Sequence, residues 1–354
     1  TLDPVFNSAT TEYSCTVKNN ISSVTVNATA TSTKSKVRGL GAKDLVEGKN
    51  TLPIRVIAED GSEKIYNVNV TRKQAVQNVS IFGKKFEVVD EEPTLTTSSN
   101  NTTDASGLYA STDTNTGKPT YYFRGNVTNN YVKFAGQTWR IVRVNEDGTI
   151  KLIMNNAINN NKPYNFQINS YDYKYMYYTN GKAKSILNDW YDSNLLNFKS
   201  DISTGNYYCE QAKVKANSSY TMGNENTVVY SSYIPNFKCS TDNNGYGLIE
   251  DKIGLISYDE LVMAGLYYGK SSLDNYLSSD ATWTSSPSGI GDLNGSSYPT
   301  IWIMTSTTSG IEKNSLTPGS IYYTYSALRP VINLKSNTQI SSGDGTKDIP
   351  FVVE

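Results

Sequence analysis

The chain has 354 residues, a net charge of −1, 37% hydrophobic and 18% charged residues, and no histidine. That length fits about two or three domains with ordinary globular cores, and the near-zero charge excludes bulk attraction to nucleic acid or an anionic membrane. Without histidine, Ser-His-Asp and Cys-His nucleophiles are excluded and the commonest metal ligand is missing. No run of about 18 apolar residues is present, so no membrane insertion within this fragment is expected.

Residues 1–73 read as short alternating strands: Glu12–Val17, Ser23–Ala28, Lys36–Gly39, Asn50–Ala58 and Glu63–Val70. Turn signals at Lys18–Ser22, Gly41–Asp44 and Glu59–Ser62 separate them, which predicts an all-β sandwich. Residues 74–106 read as a linker, with a short hairpin around Gly83 and an irregular Thr/Ser/Asn tract from Thr94 to Ser106.

The second domain spans 107–354. Its spine is a meander of Tyr131–Ala135, Thr138–Val144 and Thr149–Met154, with turns at Gly136–Gln137 and Asn145–Gly148. In the middle strand Trp139 and Ile141 point one way and Val142 and Val144 the other, as in a central strand covered on both sides. Arg140 and Arg143 therefore each need a partner or an edge position.

Ser170–Tyr178 alternates tyrosine with other residues. As a strand it sets Tyr171, Tyr173, Tyr175 and Tyr177 on one face, either a ligand platform or the edge of a core. Lys182–Leu196 follows the helical template through Ala183, Ile186, Leu187, Trp190 and Leu195. Cys209 and Cys239 enclose a loop of about 30 residues, and a structural disulfide is expected there. Ser257–Glu260 forms a capping box at the start of a short helix. Trp283 and Trp302 lie in a stretch broken by Gly, Pro and Ser, and read as loop binding residues or buried core. Ala327–Leu334 reads as a closing strand.

FNSATTEYSCTV, VTVNATAT and GLGAKDLVEGKNTLPIRVIAEDGSEKIYNVNVTR resemble the bacterial cadherin-like β-sandwich repeat. That resemblance implies a spacer module of a Gram-positive surface protein, with the family's first strand lying before Thr1. It also places Cys15 where the pattern has valine or isoleucine, so a buried thiol is expected. In the second domain, GLYASTDTNTGKPTYYFRGNVTNNYVKFAGQTWRIVRVNEDGTIKLIM, SILNDWYDSNL, KIGLISYDELVMAG, ATWTSSP and LRPVINLKSNTQISSGDGTKDIPFVVE resemble a domain of gut-bacterial surface proteins that is itself similar to the C-type-lectin-like and formylglycine-generating fold. Neither the reactive cysteine set of the latter nor the lectin calcium motif is found. Asp242–Gly245 and Asp292–Gly295 resemble calcium loops but lack the distal glutamate, so no cofactor is expected, with calcium the one candidate.

The expected fold is mainly β with some α: an all-β sandwich followed by an α+β C-type-lectin-like domain. The expected function is an extracellular bacterial surface adhesin without catalysis, held to the cell by a segment outside this fragment. Its partner would be a host glycan or a glycoprotein such as mucin or immunoglobulin, met by Tyr171, Tyr173, Tyr175, Tyr177, Trp283 and Trp302. The alternative is a structural stalk with no ligand of its own.

Overall fold

A computed structural model of the chain describes residues 2–73, 78–95, 104–164, 173–211, 235–240, 247–266, 275–278, 281–293, 296–304, 316–320 and 326–353. The chain is mainly β with a few short helices. It divides into two compact units, Thr1–Val79 and Ser80–Glu354.

In the first unit, Glu12–Val17, Glu63–Arg72, Gly48–Ile57 and Lys36–Arg38 form one sheet in that order, and Ser23–Val26 pairs with Gly41–Asp44 in a second. The first and last strands run parallel, with Glu12 opposite Asn67. Tyr13, Leu45, Ile54 and Val70 form the buried core, and the Tyr13 hydroxyl donates to the Asn7 carbonyl at 2.5 Å. Gly41–Asp44, expected as a turn, is a strand. The chain reverses instead at Gly39, where φ is +89° and a Cβ would stand 2.3 Å from the Pro53 carbonyl oxygen. Cys15 is a free thiol on the covered face of its strand with Tyr13 and Val17, but only half-buried, because the cover on that face thins from the buried Tyr13 to the half-buried Val17.

The second unit begins inside the expected linker. Phe86, on the Lys84–Glu87 strand, packs edge-on against Phe123 at 5.5 Å and faces Phe351 at 6.4 Å. That part of the linker is therefore core. Asp104, further along, pairs with the buried Arg124 at 2.7 Å.

An eight-stranded sheet forms the body of this unit. Gln137–Val144 lies at its centre, bonded to Tyr131–Phe134, Ile150–Met154 and Thr120–Arg124. Trp139 and Ile141 are fully buried, and so, nearly, are Val142 and both arginines. Each arginine has its partner. Arg140 donates to Asn130 Oδ1 at 2.7 Å and lies over the Tyr131 ring at 3.7 Å. Arg143 bonds Glu260. A bulge between Ile141 and Arg143 sets Arg143 directly opposite Lys151 on the next strand. Lys151 in turn faces Asn333 on the Val331–Leu334 strand.

The helix expected after the tyrosines runs Lys182–Asn194 and buries Ala183, Leu187 and Tyr191. The expected Ser170–Tyr178 strand is corrected over 173–178; residues 170–172 lie outside the described residues. Tyr173–Met176 and Tyr178–Asn180 are 3-10 turns. Their backbone groups bond locally, as in Asn180 N–H to Tyr177 O at 3.1 Å and Gly181 N–H to Tyr178 O at 3.1 Å. Such turns satisfy the backbone without a neighbouring strand. Among the described residues, Met176, Tyr177 and Tyr178 are all buried in succession, which the alternating faces of a half-covered strand would not give.

Candidate functional site

A half-open cleft of about 380 Å³ lies in the second unit. Its residues come from separate stretches: 115–118, 143–147, 207–209, 236–239 and 257–260, with Leu248. Three local features hold them. The Asn145–Gly148 turn of the meander supplies Asn145, Glu146 and Asp147. The capping box supplies the second set: Ser257 Oγ accepts from Glu260 N–H at 3.3 Å, and Glu260 Oε2 accepts from Ser257 N–H at 3.1 Å. The third is the expected disulfide between Cys209 and Cys239, with Cα atoms 5.7 Å apart.

That disulfide ties segment 235–240 to the Gly205–Cys209 strand. The same segment is stitched to the other side of the cleft. Phe237 N–H donates to Asp113 O at 2.9 Å, Cys239 N–H donates to Asn115 Oδ1 at 2.9 Å, and Lys238 pairs with Asp113. Phe237 is buried against Tyr122, and the Arg143 guanidinium lies 4.8 Å from its ring centre.

The deepest part of the cleft is charged and self-compensated. Glu260 Oε1 accepts from Lys151 at 2.5 Å and from Arg143 at 3.2 Å. Burial raises a carboxyl's pKa, but here Lys151 and Arg143 outweigh it, and Glu260 sits below its ordinary value. Burial lowers Lys151 to about 8, with Glu260 opposing that shift. A carboxylate in this setting is ionised and saturated with donors; it is a strut between sheet and helix.

Nearer the mouth, Asp147 accepts from Thr149 N–H at 3.0 Å, Thr149 Oγ1 at 2.6 Å and Tyr207 O–H at 2.7 Å. Partial desolvation works against them, yet these bonds hold Asp147 below the usual carboxylate range. Glu146 Oε1 accepts from Thr116 N–H at 3.1 Å and Oγ1 at 2.8 Å. Lys118 is exposed at the rim.

Among the described residues, none of the candidate ligand residues lines this cleft. Tyr177 is fully buried. Trp283 is also fully buried, with Nε1–H donating to Tyr164 O at 2.8 Å. Neither presents a face to a ligand, because each ring fills core volume. Tyr175 is half-buried on a 3-10 turn away from the residues that line the cleft. Tyr171 and the side chains of Tyr173 and Trp302 lie outside the described residues, as do Asp242–Gly245 and the side chains of the Asp292–Gly295 loop. Among the described residues no cluster of Cys, Asp or Glu is placed to hold a metal ion.

Tyr207 and the Asn145–Asp147 turn are cleft residues that sequence reasoning passed over. The signal was present: Asn-Glu-Asp-Gly marks a turn, and Tyr207 lies two residues before Cys209. Nothing local says that these two segments meet.

Residues 1–73 match the family described as the cadherin-like beta sandwich domain. The first unit is a cadherin-like domain. No curated protein and no solved structure matches the chain. No helix among the described residues is long and apolar enough to cross a membrane, and the disulfide fits an extracellular protein. The cleft belongs to the second unit.

Proposed function

We propose that the chain is an extracellular binding protein of a bacterial surface, an adhesin whose second unit recognises a host glycan or glycoprotein at the cleft. In this reading the second unit is a C-type-lectin-like domain, the cadherin-like domain is its spacer, and a segment outside residues 1–354 holds it to the cell. The observation that carries the reading is the cleft itself. Its volume suits a small ligand, and its lining is rich in hydrogen-bonding side chains on a frame tied by sheet and disulfide. Ordered side chains lose less entropy on binding than mobile ones. The sequence has no histidine, so the commonest general base near pH 7 is missing there.

The test is a glycan array and a pull-down from host mucus glycoproteins, both with the full chain. Binding that is lost on substituting Asp147 or Tyr207 supports the reading. No binding in either format leaves the chain a structural stalk.

A further inference from the structure

We infer that Lys151 and Asn333 are the two ends of an internal isopeptide bond, which closes within the folded second unit and releases ammonia. This is a modification site, independent of what the cleft binds.

Position is the first observation. Lys151 on Ile150–Met154 and Asn333 on Val331–Leu334 stand directly opposite each other in an antiparallel pair. Opposed side chains leave the sheet on the same face with their Cβ atoms about 5 Å apart, within the reach of a lysine stem. Both residues are buried, as are Glu260 and Tyr208 beside them. Lys151 Nζ lies 5.4 Å from the centre of the Tyr208 ring, and the Tyr208 hydroxyl is within bonding range of the Asn333 side chain. Burial of this kind keeps out the water that would otherwise hydrolyse a reacting amide.

The second observation is that each group the reaction needs is in place. Lys151 is the nucleophile. Burial lowers it to about 8, with Glu260 opposing that shift and Arg143 adding to it, so the neutral amine is accessible near neutral pH. Its Nζ donates to Glu260 Oε1 at 2.5 Å and to the Tyr207 carbonyl. A neutral amine keeps one N–H for each of these acceptors and its lone pair free. Glu260, held ionised by Lys151 and Arg143, is the general base. Asn145 Nδ2–H donates to Asn333 Oδ1 at 2.8 Å, where it polarises the carbonyl and meets the developing oxyanion. Asn333 Nδ2, the leaving nitrogen, makes no hydrogen bond of good geometry.

The Lys151 lone pair attacks Cγ of Asn333. As the new C–N bond forms, Glu260 takes one proton from Nζ and passes it to Nδ2. The Cγ–Nδ2 bond then breaks, ammonia leaves and the carbonyl reforms. A primary amine and a primary amide become a secondary amide and ammonia, with Glu260 again a carboxylate and no oxidant or cofactor consumed. The closed form has no Lys151 amine left, so the titration of Lys151 is a property of the open form.

The experiment is mass spectrometry of the full chain, reduced and unfolded, before and after incubation at mildly alkaline pH. The expected result is an intact mass below that of the sequence by one ammonia, and a branched peptide in the digest that joins Lys151 to Asn333. Lys151→Met and Asn333→Ala should keep the full mass of their sequences. Glu260→Gln and Asn145→Ala should close roughly a hundredfold or more slowly. Near-ultraviolet circular dichroism shows which variants are folded. Should Glu260→Gln fail to fold, Asn145→Ala and the wild-type digest still decide. A full, unreduced mass after prolonged alkaline incubation of folded wild type overturns the inference. So does loss of ammonia without the branched peptide, which is the mark of a succinimide at an asparagine. Closure at the wild-type rate in folded Asn145→Ala and Glu260→Gln overturns the roles given to those two residues.

Discussion

Lys151 and Glu260 meet at 2.5 Å between the central sheet and a short helix, with side chains only 1% and 5% exposed. The bond answers a problem created by strand register. Lys151 lies directly opposite Arg143, and like charges across an antiparallel pair repel. Glu260 accepts from both and offsets their repulsion, while its second oxygen closes the capping box on Ser257. One carboxylate thus joins a sheet, a helix start and the bottom of the cleft.

Glu260→Gln should be strongly destabilising, because it leaves two buried cations sharing a neutral amide. Removing one partner of such a group costs about 3–5 kcal/mol. Urea unfolding followed by tyrosine fluorescence measures this. A midpoint equal to wild type would show that the carboxylate holds nothing together.

The pH dependence has a defined sign on each side. Glu260 is held below 4.5, so its contribution is complete above that value and is lost as pH falls through the folded value. Lys151 ionises at about 8 when folded and near 10.5 when unfolded. Between those values the unfolded chain holds more protons, so the contribution of Lys151 to stability rises with pH. Melting curves of wild type and Lys151→Met across both windows isolate the two terms: the upward slope above pH 8 should be absent in the variant.

Reducing the Cys209–Cys239 bond, or replacing Cys239 with serine, should cost about 3–4 kcal/mol for a loop of this length. It should also loosen the wall formed by residues 236–239. The check is a melt with and without reductant, paired with ligand titration. Affinity that survives reduction would mean that the wall is held by its bonds to Asp113 and Asn115 alone.

Gly254→Ala tests close packing at the core. A Cβ there would lie 2.4 Å from Cδ1 of Tyr208, a ring only 1% exposed. Overpacking of this kind costs about 1–3 kcal/mol. A lowered melting temperature with the cleft's ligand affinity preserved after refolding is the expected outcome. An unchanged melt would mean that the Tyr208 ring has room to shift.

Much of the local structure was legible. Glu12–Val17 was read with both ends as observed, because its alternation and flanking turns agree. The central strand was recognised as covered on both faces, and its arginines as needing partners. The Ser257 capping box was readable because it is a rule about residues three apart. The tyrosine run misled for a physical reason. Alternation of period two is a strand signal only when a neighbour offers backbone partners, and Tyr173–Asn180 bonds to itself instead.

By itself, then, the sequence determined the first β-sandwich, whose motifs resemble the cadherin-like family, the meander, the main helix, the expected disulfide and the exclusion of histidine chemistry. Those depend on periodicity, on turn residues or on composition, all of which act over a few residues or over the chain as a whole. The tertiary structure alone decided which side chains share a cleft. Asp147 and Tyr207 are 60 residues apart, and Lys151 and Glu260 are 109 apart. Bulge, strand order and disulfide bring them together, and none of these contacts leaves a pattern in the residues between.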